Sequence, residues 1–486
     1  MMREFAEPGE SLEKLARGWR QAGVLSILLF IGGCATYHPM PITSEAVDAM
    51  LRPPDMAQVR VLAREIKHPI LRPIQLKADE GLSPDGAAIL AVLLNPSLRA
   101  VRDQRALSQA QLLDAGLLPD PDLTYSLDVP TGGDTAGKVN AFGLGLNWNV
   151  TSLVSRASRV REAKVKGDAV DLEIAWREWQ VAQGAKAAVF QLSSLQSRIA
   201  LVEEVREQAA ENLSRVRKAV SDGFMTAGDL NSVRAADSSV NVRLLALEKQ
   251  ASQQRLNLLR LMGLPADSPV RLSKDLRMPS RVELPDPSVL DGLEQRRLDL
   301  LALRRGYESQ EAAVRAAVLE QFPRIIIGPT ISRDTDNVRT TGFGINIELP
   351  IVNRGQGKIA VERATRKKLY DEYVNRVFEA RSDIEKIESG IRFLDAQIAA
   401  ARAAEADLGK LVENYRAALA DGRTDALVYY AAWKDLIDAK TEVVDLEGQL
   451  ARAVVALELA TGFYEVPGLV RSSEAVSTET GARKEQ

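Results

Sequence analysis

The chain has 486 residues and a formal net charge of −3, with acidic and basic side chains spread along its length, so no basic stripe exists to hold nucleic acid. Aromatic residues make up only 5% of the chain, while Ala, Leu, Arg, Glu and Gln dominate its long central stretches. That is the composition of long helices and coiled coils rather than of a compact enzyme.

The first element in chain order is an apolar run, Val24 to Gly33, preceded by Arg17 and Arg20. It is too short to span a bilayer and reads as the apolar core of a secretory signal. The chain has one cysteine, so no intramolecular disulfide can form. Ile31-Gly32-Gly33-Cys34 resembles the bacterial lipobox, in which the cysteine receives lipid, palmitate included. On that resemblance residues 1–33 are a lipoprotein signal peptide and Cys34 is the lipidation site. Ala35, where Asp would retain a lipoprotein at the inner membrane, points to the outer membrane. No other apolar run approaches the ~20 residues of a spanning helix. Any bilayer crossing must then be made by strands closed into a barrel, where every backbone group is paired.

Residues 34–84 carry many prolines and read as a lipid-anchored tether with one helix near 43–51. Ser83-Pro84-Asp85 is a helix start, with a capping residue followed by Pro in the first turn. The helix runs over 85–117, interrupted at Asn95-Pro96. Two strands follow, at 121–129 and 140–150. In the first, Leu123, Tyr125, Leu127 and Val129 alternate with Thr124, Ser126 and Asp128. In the second, Phe142, Leu144, Leu146, Trp148 and Val150 alternate with Ala141, Gly143, Gly145, Asn147 and Asn149. The polar loop Pro130-Thr131-Gly132-Gly133-Asp134 lies between them.

From Ser155 to Val220 the only helix-weakening residues are Gly167 and Gly184, which predicts one helix ~100 Å long. It ends at Asp222-Gly223, and a returning helix reaches Gly263. Residues 265–290, with five prolines, are a linker without regular structure. The second half then repeats the first: a helix, strands at 323–332 and 341–350, a long helix over 354–420, a break at Asp421-Gly422, and a return ending at Gly462. In that return Leu436, Val443, Leu450 and Leu457 recur every seven residues, which is the seam of packed antiparallel helices. Residues 466–486 read as a disordered tail.

The repeat is explicit. Gly143-Leu144-Gly145 answers Gly342-Phe343-Gly344, Asp222-Gly223 answers Asp421-Gly422, and Leu261-Met262-Gly263 answers Ala460-Thr461-Gly462, all at one offset of 199. Solenoid units recur every ~20–50 residues. This is instead a duplicated half, spanning 85–264 and 291–465. One face of all four strands is small or polar, apart from Ile326, which suits a water-filled lumen. Four strands cannot close a barrel, for which about eight are needed. The strands must be pooled, eight from two copies or twelve from three. At the far ends of the helical hairpins Asp222, Gly223, Asp229, Asp421, Gly422 and Asp425 are the candidate partner-contact or gating residues, since in an oligomer their carboxylates would form rings.

The lipobox, the duplicated hairpins and the Asp-Gly tips together resemble the TolC-like outer-membrane efflux protein family (outer membrane factors), lipoprotein subgroup. Asn95-Pro96-Ser97-Leu98-Arg99-Ala100, Phe322-Pro323-Arg324-Ile325, Leu349-Pro350-Ile351-Val352-Asn353-Arg354-Gly355 and the tip Gly223 to Leu230 carry the likeness, which covers about 85–465. The resemblance implies a mostly α fold with a membrane β-barrel: a trimer with twelve strands, four per chain, continued by a periplasmic α-helical coiled-coil tunnel. It also implies partners, a periplasmic adaptor (membrane fusion) protein and an inner-membrane pump. The expected function is the outer-membrane channel of a tripartite efflux system. The alternatives are the outer component of a type I protein secretion system and a non-transporting coiled-coil lipoprotein scaffold. The scaffold leaves the four alternating strands unexplained.

No enzyme is expected. Gly355-Gln356-Gly357-Lys358 falls short of a phosphate loop, because Val352 stands where the loop needs Gly and Ile359 where it needs Ser or Thr. The two histidines, His38 and His68, lie in the N-terminal segment and form no metal ladder. No cofactor is expected, and the acidic residues of the helices read as solvated surface.

Overall fold

The computed structural model describes residues 36–52, 55–76, 80–274, 276–284, 291–421, 423–467 and 470–472. Cys34 and Gly422 lie outside the described residues. The chain divides into two units, Met1–Pro53 and Pro54–Gln486. In the first, helix α1 (Ser44–Leu51) starts where the Thr43 hydroxyl accepts the Ala46 N–H at 3.2 Å.

The second unit opens with α2 (Met56–Glu65), capped by Asp55, a helix that the proline-rich composition of 34–84 conceals. Then come α3 (Pro84–Leu94) and α4 (Pro96–Gly116). Pro96 has no N–H to extend α3, so the helix stops. Asn95 uses the break: its Oδ1 accepts the Ser97 N–H at 2.9 Å and its Nδ2 donates to the Leu261 carbonyl at 2.9 Å. Strands β1 (Asp122–Asp128) and β2 (Ala141–Asn149) lead into α5 (Ser152–Ser221), whose 70 residues span ~105 Å. Helix α6 (Ala227–Leu261) returns.

The second half begins with the short β3 (Arg281–Glu283), α7 (Leu293–Arg296) and α8 (Leu298–Leu319). It continues through β4 (Arg324–Arg333), β5 (Arg339–Glu348), the 65-residue α9 (Gln356–Ala420), α10 (Ala426–Thr461) and β6 (Val470–Ser472). Strand β3 pairs antiparallel with β6. One segment belongs to the stretch expected to be an irregular linker and the other to the expected disordered tail. Neither is apolar enough to announce a strand, and each gains its ladder only from the other.

Apolar side chains at seven-residue spacing carry the helical body. Ile384, Ile391 and Ile398 of α9 are at most 1% exposed and pack on Leu450, Val454 and Leu457 of α10. Burying each such side chain contributes ~1.5–3 kcal/mol. Leu436 and Ile437 of α10 meet Val202 and Val205 of α5 and Leu244 and Leu247 of α6, which joins the second half to the first.

The strands form one antiparallel sheet in the order β1-β2-β4-β5. Within one chain this sheet is open, with β1 and β5 at its edges.

Candidate functional site

Register sorts the sheet into two faces. Leu123 pairs with Leu146, Tyr125 with Leu144, Leu127 with Phe142, Trp148 with Ile327, and Ile327 with Ile345. Cross-strand partners share a face, so these residues form one continuous apolar surface. On the other face Thr124 meets Gly145, Ser126 meets Gly143, Gly328 meets Gly344, and Ile326 meets Asn346. A one-residue slip anywhere would mix the two sets.

The apolar face is open: Tyr125 is 64% exposed and Ile345 is 64% exposed. A large exposed apolar surface on a folded chain marks a contact with lipid or protein. Where the sheet meets the helices, Trp148 Nε1 donates to the Pro119 carbonyl at 2.8 Å. The Thr151 hydroxyl donates to the Pro323 carbonyl and accepts the Ile325 N–H.

The seam between β2 and β4 joins the two halves, and it contains Pro329. Proline is rare in a central strand because it cannot donate to the ladder. The β2–β4 register is accordingly interrupted between Gly145–Thr330 and Trp148–Ile327. There the backbones close up, and a Cβ on Gly328 would run into the Leu146 carbonyl group. Gly328→Ala is therefore expected to part the two halves of the sheet. Circular dichroism and amide exchange at Leu146–Trp148 should register a loss above ~2 kcal/mol.

The hairpin turns lie at the other end of the long helices. Gly223 takes φ +81, which glycine adopts without strain. Phe224 N–H then donates to the Ala219 carbonyl at 2.8 Å and closes the turn, and the Phe224 ring is 84% exposed. Asp229 is engaged locally. Its Oδ2 accepts the Thr226 N–H at 2.9 Å and the Thr226 hydroxyl at 2.8 Å, while Asp229 N–H donates to Thr226 Oγ1. That reciprocal pair caps α6, and the Thr226 N–H holds the Asp229 carboxyl below the usual range. The Thr-x-x-Asp spacing was legible in the sequence as a cap.

In the second turn Asp425 occupies the place that Thr226 holds in the first and caps α10 by accepting the Leu427 N–H at 3.0 Å. Asp421 pairs with Arg423 at 2.5 Å, and Asp222 accepts from Ser221. Of the candidate tip carboxylates, two are helix caps and one is an ion-pair partner.

Sequence reasoning missed the groove beside these turns. It is a cavity of about 260 Å³ between α5, α6 and α10, lined by Val205, Ala209, Val233, Leu427, Tyr430 and Trp433. Tyr430 stands edge-on to Tyr429, 5.4 Å between ring centroids. Burial raises the Tyr430 phenol pKa, and the nearby Arg215 guanidinium opposes the rise. Tyr429, Tyr430 and Trp433 are the only clustered aromatics of α10, and that clustering was the available signal.

No helix among the described residues is long and apolar enough to cross a membrane. No group of three or more His, Cys, Asp or Glu among them could hold a metal ion.

Comparison with known proteins adds to this geometry. The fold is similar to that of CusC, with TM-score 0.66 and 17% identity over 82% of this chain and 98% of that one. VceC of Vibrio cholerae gives TM-score 0.64 at 19% identity, covering 78% of this chain and 96% of that one. The CmeC outer membrane channel of Campylobacter jejuni gives 0.64 at 15%, covering 80% and 89%. At these identities the likeness carries the fold alone. No curated protein matches the sequence. The family model described as outer membrane efflux protein matches twice, over residues 90–264 and 289–463, once on each half of the repeat. The chain thus belongs to the outer membrane efflux protein family, whose members are channels rather than enzymes.

Proposed function

We propose that three copies of this chain form the outer-membrane duct of a tripartite efflux system, joined to a periplasmic adaptor and an inner-membrane pump. The observation that carries the reading is the open four-stranded sheet, apolar on one face and small or polar on the other. Open edges are templates for pairing with another chain. Pairing β1 of one copy with β5 of the next would close twelve strands, with the apolar face to lipid and the Gly, Thr and Asn face to water. Strands of 7 to 10 residues suit a tilted crossing.

The long helices would continue the wall as a coiled-coil tunnel. Val374, Phe378 and Phe393 of α9, and Val242 and Leu245 of α6, are exposed in the single chain and would be covered by neighbouring copies. In this reading Asp222, Gly223, Asp421, Gly422 and the aromatic groove lie at the periplasmic end and meet the adaptor. Asp229 and Asp425 shape the turns there. Lipid on Cys34, after removal of 1–33, would anchor the assembly in the outer membrane. The repeat units 85–264 and 291–465 are its two half-walls.

The test is the mass of the detergent-extracted particle by light scattering, with negative-stain imaging. Three chains with a detergent belt at the sheet end are expected. A monomer that stays soluble without detergent would overturn the duct.

A further inference from the structure

Residues 66–76 leave the end of α2 without regular secondary structure and lie on the helical body. Ile66, Ile70, Leu71 and Ile74 join a cluster with Ile89 and Val92 of α3, Trp176 and Trp179 of α5, and Leu298 of α8. The polar centre of this contact is His68, whose side chain is 1% exposed. Both ring nitrogens are engaged. Nδ1 accepts the N–H groups of Ile70 at 3.1 Å and Leu71 at 3.0 Å. Those groups only donate, so Nδ1 carries no proton. Nε2 lies 3.0 Å from the Ala175 carbonyl oxygen, which only accepts, so the proton is on Nε2. The three contacts select one neutral tautomer and tie the segment to the middle of α5.

We infer that His68 is a pH-operated clasp, holding segment 66–76 on α5 while neutral and releasing it when protonated. A second proton can enter only at Nδ1. It would place an N–H against two backbone N–H groups and leave both donors orphaned in a buried site. Each orphan adds to the cost, since a buried donor without a partner forfeits its full desolvation penalty.

The charged groups around the ring come from several elements. Glu178 of α5 has its Oε2 3.7 Å from Nε2 and favours the cation. Arg102 of α4 opposes it and holds the other Glu178 oxygen at 2.6 Å, while also donating to the Val92 carbonyl. Arg297, ahead of α8, sits 5.1 Å over the Trp176 ring and is neutralised by Asp299. In the cluster itself α3 and α8 present apolar Ile89, Val92 and Leu298. Burial is the largest influence and lowers the His68 pKa from its ordinary value. The released segment, with a pKa of ~6.5, therefore takes up the proton first. The contribution of the clasp is complete above about pH 6.5 and is lost as pH falls through the lowered, docked value. This device goes beyond transport and does not depend on the duct.

The chain has two histidines, His38 and His68, so a His38→Gln chain carries a single imidazole reporter. Its ring ¹⁵N shifts and the exchange of the Ile70 and Leu71 amides, corrected for intrinsic rate, are to be followed from about pH 7.5 to about pH 5 in the detergent-purified full chain. The Nε2–H tautomer is expected at the start. Amide protection should then fall about tenfold or more as the ring becomes imidazolium. His68→Asn, whose Oδ1 replaces Nδ1 as acceptor without titrating, should keep its protection throughout. The clasp is overturned by an imidazolium with both amides still protected, by a ring that stays neutral at pH 5, or by an equal acid loss in the Asn variant. Should the Asn chain fail to fold, the single-histidine chain alone decides.

Discussion

Glu458→Ala is expected to destabilise the folded chain by up to ~3–5 kcal/mol, because the buried Lys186 ammonium loses its buried partner and keeps only the half-exposed Asp85 as counterion. Glu458 in α10 and Lys186 in α5 meet at 2.8 Å, with side chains 1% and 7% exposed. Lys186 also lies 3.3 Å from Asp85 at the start of α3 and 5.0 Å from the Tyr464 ring centre. Burial, then the negative charge of Asp85, pushes the Tyr464 phenol up, so the ring stays neutral beside the lysine. The pair therefore staples the first repeat to the second, deep in the helical body. Denaturant unfolding followed by circular dichroism should show the loss. The double variant Lys186→Met, Glu458→Leu should recover most of it, because apolar side chains of similar volume replace a buried pair at little cost. A single variant as stable as the native chain would show that the pair contributes nothing.

The second large effect is expected at the apolar face of the sheet. Leu144→Arg and Ile345→Arg should each cost ~2–4 kcal/mol if that face lies in the bilayer midplane. Both residues stand on the face that Tyr125 and Ile327 share. The assembled particle in detergent extracts should fall accordingly. Asn346→Arg, on the opposite face against Ile326, should leave assembly intact and change single-channel conductance in planar bilayers. Equal tolerance on the two faces would remove the assignment of lipid and lumen sides.

The alternation along Leu123–Val129 and Phe142–Val150 was readable because side-chain direction in a strand depends only on local backbone geometry. The heptads of α10 were readable for the same reason. Leu436, Val443, Leu450 and Leu457 fall on one stripe of a helix whatever it packs against, and all four are buried. The turn at Asp222-Gly223 was legible because only a few residues tolerate positive φ.

The tip carboxylates were only partly separable in this way. The Thr-x-x-Asp spacing marks Asp229 as a candidate cap, and the hydrogen bonds with Thr226 show that it is one. Glu458 looked like one more solvated helix charge. Its burial depends on α5 arriving with Lys186, far away along the chain.

By itself the sequence determined the duplicated plan, the four strands with their two faces, and the great length of α5 and α9. These follow from local periodicity and from residues whose backbone preferences are strong. The tertiary structure alone decided the β2–β4 seam with its close approach at Gly328, the β3–β6 pairing, the cross-repeat pair of Lys186 and Glu458, and the His68 contact. Each of these is a meeting of segments distant in the chain. Its energy comes from desolvation and from hydrogen bonds that exist only once both partners are in place.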